Sequence, residues 1–152
     1  LYLGAGDRLL SLPSDLPIPG ECPQVYYGRV QLSGGQEFMP QANWRLKLYN
    51  ALHHQALLVP KNLHPEPPFD IRFRLYADFD FNQRLLKQGS VFEFQNDLSA
   101  FAAPDGLTSD SDLYELNRIV LQNFGWFWAG LSLLGFSLAR VFPFLNRFKP
   151  IR

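Results

Sequence analysis

The sequence predicts an α+β chain: a small antiparallel β-rich head with one packed helix, followed by a single C-terminal transmembrane α-helix. Three observations lead there. Residues 69–81 alternate apolar and polar side chains, as a strand with one buried face does. Ile119 to Ala139 is a run of 21 residues without a charge. The net charge of zero is a cancellation, because residues 1–115 carry all 14 acids and nine bases while residues 116–152 carry five bases and no acid. A head at −5 and a tail at +5 therefore flank a neutral span. No domain-wide basic field exists, so nucleic acid is not an expected partner.

In chain order, residues 1–23 hold Pro13, Pro17, Pro19 and Pro23 and read as a Pro-rich extended segment that lies on neighbours. The head then runs over residues 24–103. Gln24 to Leu32 is rich in Val and Tyr and ends at Ser33-Gly34-Gly35, a strand followed by a turn. Pro40 opens an expected helix over 41–58, where Trp44, Leu48, Leu52 and Ala56 recur at spacing four. Residues 60–68 contain four prolines and read as a rigid loop. In the alternating stretch, Phe69, Ile71, Phe73, Leu75, Ala77, Phe79 and Phe81 share one strand face. Val91 to Gln95, after a turn at Gly89, is its expected antiparallel partner. Residues 104–111 form a polar linker to the anchor.

The anchor helix is expected over 112–142. Asp112 and Glu115 fit a capping box, in which the second carboxylate caps back to the first residue, and both acids favour the positive end of the helix dipole. Pro143 stops it, and residues 143–152 form a basic tail. The 21 uncharged residues span about 31 Å, a bilayer's hydrocarbon thickness. Their ten large apolar residues contribute roughly −3 to −6 kcal/mol to insertion before polar residues and glycines are subtracted. A buried helix of a water-exposed domain would show charges at helical spacing, and none appears. Gly125, Ala129, Ser132, Phe136 and Ala139 follow one another at steps of four and three, a mostly small-residue face suited to another helix. Its expected partners are other transmembrane subunits of a complex and the lipid bilayer.

The flanking charges are Arg118 before the span and Arg140, Arg147, Lys149 and Arg152 after it. By the positive-inside rule the tail lies in the matrix or an equivalent compartment and the head on the other side, the intermembrane space for an inner mitochondrial membrane. A tail-anchored protein has the same order of elements with the opposite orientation. The chain opens on Leu1, as a processed or partial chain would.

Chemical motifs are sparse, and no catalytic, cofactor-binding or metal-ligating residue is assigned. Asp78-x-Asp80-x-Asn82 begins like a calcium loop, but Gln83 stands where glycine is needed and Gly89 where the bidentate Glu belongs. His53 and His54 are adjacent, so on a helix they diverge by about 100° and do not pair on a metal. Gly4-Ala5-Gly6 lacks the rest of a dinucleotide fingerprint, and Cys22, the single cysteine, has no histidine near it in sequence. Three functions fit this pattern. The first is a non-catalytic single-pass accessory subunit of a large membrane complex of the energy-transducing, respiratory type. The second is a membrane-anchored ligand- or lipid-binding domain. The third is an anchored enzyme using Asp70, Asp78 and Asp80 with Arg72 and Arg74 on one strand face.

Overall fold

The computed structural model describes residues 3–15, 24–103 and 112–141. The expected linker 104–111, the tail 143–152, Cys22 and residues 1–2 and 16–23 of the Pro-rich start fall outside those residues. The described part is mixed α+β, a five-stranded sheet with three helices.

Strand β1 (Arg8–Ser11) lies inside the segment expected to be extended on neighbours, and pairs antiparallel with β5 of this same chain. Strand β2 (Gln24–Leu32) has the bounds its composition predicts. Short strands β3 (Glu37–Phe38) and β4 (Leu57–Leu58) pair antiparallel with its two halves. Strand β5 (Val91–Ala102) is longer than expected and runs parallel to β2. The sheet is therefore mixed rather than antiparallel, with the order β1-β5-β2-β3. At Gly28 the register slips: Tyr27 pairs with Phe94 and Arg29 with Ser99, so β5 advances five residues while β2 advances two. Gly28 has no Cβ because the backbone of Leu98 occupies that space.

The helix expected over 41–58 is absent. In its place stand two 3-10 turns, Trp44–Lys47 and His54–Ala56, followed by β4. The first is capped by Asn43, whose side chain accepts from the Arg45 N–H at 2.9 Å. Leu46, Leu48 and Leu52 still reach the core, by irregular chain instead of helical spacing.

The long strand over 69–81 is also overturned. Residues 70–73 make a turn, with the Arg72 and Phe73 amides donating to the Asp70 side chain and carbonyl at 3.0 Å. Ile71, assigned to the buried face, is 95% exposed. From Ala77 the chain is helical: α1 spans Ala77–Lys87. Acids in the first turn and Arg84 and Lys87 in the last suit the helix dipole, and Arg84 bonds Asp80 one turn back. Gly89 ends the helix at φ 82°, with its own amide donating to Leu86 and that of Ser90 to Leu85. That is a Schellman stop, where a strand reading sees a β-turn.

The single helix 112–142 is two. Helix α2 (Leu113–Phe124) begins at Asp112, whose carboxylate accepts from Tyr114 and Glu115. It ends at Gly125, where φ 85° and ψ 178° place the backbone in a region open to glycine. Helix α3 (Trp126–Val141) folds back, and Asn117 on α2 donates to the Ala129 carbonyl at 2.8 Å. Their 12 and 16 residues reach about 18 and 24 Å, short of a bilayer core of about 30 Å. Among the described residues no helix is long and apolar enough to cross a membrane. Leu116, Ile119 and Val120, in the first part of the expected helix, are fully buried in the head's main core beside Phe79, Leu46 and Leu52. The missing charged stripe misled because α2 shows water uncharged Gln122 and Leu121 as well as Arg118.

Candidate interaction surface

Helix α3 has two faces of different use. Ala129, Ser132, Gly135, Phe136 and Ala139 are buried, at helical steps of three and four. Ser132 Oγ donates to the Leu48 carbonyl at 2.7 Å, which fixes this stripe against the chain that follows the first 3-10 turn. Ala129, Ser132, Phe136 and Ala139 thus contact the chain's own body, and Gly125 is the elbow before them.

The outward face carries Trp126, Phe127, Leu131, Leu133, Leu134, Leu138 and Val141, with Trp126 80%, Leu134 55% and Val141 69% exposed. Only Ser137 and the terminal Arg140 interrupt it with polar groups. An apolar helix side of this length facing water is uncommon in a monomer and marks a surface that seats on another apolar phase.

At the α2–α3 elbow the rings of Trp126, Phe127 and Trp128 follow one another at centroid distances of 6.3 and 5.8 Å. Lys47 Nζ lies 4.7 Å from the Trp128 ring centre and 5.4 Å from that of Phe124. On the same 3-10 turn Arg45 stacks on the exposed Trp44 at 5.7 Å. Arg45 and Lys47 were not picked out by sequence, because Lys47 meets the Trp128 ring only through the fold. Arg118 is exposed and covers Phe73, and Arg140 is exposed at the end of α3. Arg147, Lys149 and Arg152 lie outside the described residues.

The strand carboxylates do not come together as an acid/base pair. Asp70 is clasped by Arg72 at 2.6 Å, and that hydrogen bond, against the opposing effect of burial, lowers its pKa to about 2. Asp80 is fully buried between Arg84 Nε at 2.8 Å and the Asn123 amide at 2.9 Å, with Arg84 also donating to the Pro67 and Pro68 carbonyls. Asp78 accepts from Phe79 N–H and Asn50 and faces His54 Nδ1 at 3.3 Å. On a helix, Asp78 and Asp80 point about 200° apart.

A polar cluster ties the first strand to the head. Asp7 accepts from the amides of Gly4 and Ala103 and from Gln55, whose side-chain oxygen meets His53 Nδ1 at 2.7 Å. Burial, the largest influence on His53, lowers its pKa below 6.5 despite Gln55 and the nearby acids. Burial also acts downward on His54, but the hydrogen bond and charge of Asp78 and the charge of Asp7 outweigh it and raise the pKa above 6.5. The two histidines thus act with opposite sign. Protonated His54 stabilises the fold below pH 6.5, and that contribution is lost as pH rises through its raised folded value. Neutral His53 stabilises it above pH 6.5, and that contribution is lost as pH falls toward its lowered folded value. Imidazole titration by NMR is expected to place the two midpoints on opposite sides of 6.5. His54→Gln is expected to flatten the alkaline decline in stability and His53→Gln the acidic one.

Among the described residues no group of three His, Cys, Asp or Glu is arranged to hold a metal ion. No family model, curated protein or solved structure matches the chain.

Proposed function

We propose that the protein is a non-catalytic accessory subunit of a larger membrane complex, held at the bilayer by the outward face of α3. The observation that carries this reading is that face, with seven large apolar side chains presented to solvent by a helix whose other side is already packed on the head. Helices of this kind lie in the interface plane with their apolar side in the headgroup–acyl boundary. The charge order supports the same occupant, since every ionised residue after Glu115 is basic and anionic headgroups attract bases. The single-pass form of the reading has α3 leave the head and continue inward with the residues after it. Placement in a respiratory-type complex of the inner mitochondrial membrane follows an analogy of architecture, since large energy-transducing complexes hold many small anchored subunits, and the charge order supplies the orientation.

Leu134→Asp combined with Leu138→Asp is expected to abolish co-sedimentation with membranes while changing stability in urea by no more than about 1 kcal/mol, because both side chains face solvent. Alkaline carbonate is expected to release the wild-type chain into the supernatant. Retention in the pellet establishes the spanning form instead. After mild-detergent extraction the 17.5 kDa chain is expected to migrate on native gels with a far larger assembly. Migration as a free monomer overturns the subunit role.

A further inference from the structure

The cations that border the outward face of α3 specify which bilayer it meets. Lys47 stands at the elbow end, its ammonium against the Trp128 ring, and that ring continues through Phe127 to the exposed Trp126. Arg45 lies two residues before it on the same 3-10 turn, beside exposed Trp44. Arg140 stands at the other end of α3, exposed and without an acidic neighbour on that helix. Twelve residues separate Trp128 from Arg140, about 18 Å of helix. The apolar strip between them is therefore bounded by positive charge at both ends. Tryptophan rings prefer the headgroup level, where their apolar bodies and polar N–H groups are both satisfied. Trp126, 80% exposed, is the ring free to reach that level, and Lys47 stands at the same end of α3 through Trp128 and Phe127.

The acids of the head do not cancel this border. No acid lies on the turn Trp44–Lys47 or on α3, and the α2 acid Glu115 is engaged by the amides of residues 74–76. Asp80, the acid of α1 nearest the core, is neutralised by Arg84.

We infer that the outward face of α3 is a docking surface for an anionic lipid bilayer, with Lys47, Arg45 and Arg140 contacting the phosphates and acidic headgroups while Trp126, Leu134 and Leu138 enter the acyl boundary. This rests on the membrane seat proposed above and adds the lipid class. Each basic residue near an anionic surface raises the partition coefficient roughly fivefold at moderate salt, and screening removes most of that gain when ionic strength is raised.

Flotation of the full chain with vesicles separates the two ideas. The probes are pure phosphatidylcholine and an equimolar mixture of phosphatidylcholine and phosphatidylserine. The expected result is weak binding to the first, strong and salt-sensitive binding to the second, and a loss of roughly fivefold on the second for Lys47→Gln or Arg140→Gln. Lys47→Arg keeps the charge and is expected to bind like wild type, and Arg140→Gln changes a helix-end residue that the fold does not need. Equal binding to both vesicles overturns the anionic preference and leaves the membrane seat standing. Binding to neither overturns both. Full retention of the preference in Lys47→Gln and Arg140→Gln assigns it to other residues and overturns the role given to these.

Discussion

Gly28→Ala is expected to cost at least about 4 kcal/mol in urea unfolding, enough to leave the head largely unfolded at ambient temperature. A Cβ at this position lies 2.6 Å from the Leu98 carbonyl carbon, and Leu98 is fully buried in β5. The obstacle is backbone of the strand at the sheet's centre, so no side-chain rotation relieves it. Separating β2 from β5 there breaks the register slip that joins the two halves of the parallel pair. Gly34→Ala is the matched control. A Cβ there meets nothing within 4 Å, and the change is expected to be neutral or stabilising by up to about 1 kcal/mol. A Gly28→Ala protein as stable as the Gly34→Ala protein refutes the account of the slip.

Glu115→Ala is expected to destabilise by about 3 to 5 kcal/mol, because one carboxylate satisfies three backbone amides. Its oxygens accept from Arg74 at 3.0 Å, Leu75 at 2.7 Å and Tyr76 at 2.8 Å, on the loop that leads into α1. The contact joins the start of α2 to the start of α1, so its loss frees the loop and loosens both helices from the core. Glu115→Gln keeps one oxygen acceptor and is expected to cost about 1 to 2 kcal/mol. Amide exchange at Leu75 and Tyr76 reports the site directly, and unchanged protection there in Glu115→Ala contradicts the assignment.

Glu115 also shows where sequence reading succeeds and where it stops. The spacing from Asp112 identified the helix start, and Asp112 does cap it. The carboxylate three residues on was expected to close the same cap locally. It reaches instead to residues some 40 positions earlier, a partner that only the fold supplies. The alternation over 69–81 failed for a related reason. Period two is a strand signal when both ends are free to extend, but Asp70 nucleates a turn and Gly89 stops a helix. The i to i+4 pair Asp80–Arg84 and the acids-first, bases-last order were the helix signals available in the same stretch. Strand β2 was legible because its Val and Tyr residues lie between a proline and a Gly-Gly turn, with no competing period.

The uncharged run misled through one dihedral. Gly125 reads as one member of a small-residue helix face, and its positive φ turns that face into an elbow. Before it, Leu116, Ile119 and Val120 belong to the head; after it, apolar side chains are shown outward. The inward steps Ala129, Ser132, Phe136 and Ala139 were visible as a packing stripe, but sequence could not say that Leu48 lies opposite. The cationic border was invisible for the same reason, since Lys47 and Trp128 are 81 positions apart.

The parallel pairing of β2 with β5 sets an order of events during synthesis. Leu32 finds Ala102 only after about 70 further residues have emerged, some 4 to 14 s at ordinary elongation rates. Such distant pairings close slowly, because loop entropy is lost before contacts are gained. Helices α2 and α3 follow β5 in the chain, so the apolar surface of α3 leaves the ribosome after every strand of this sheet. A nascent chain therefore has its sheet partners available before its most apolar helix is exposed.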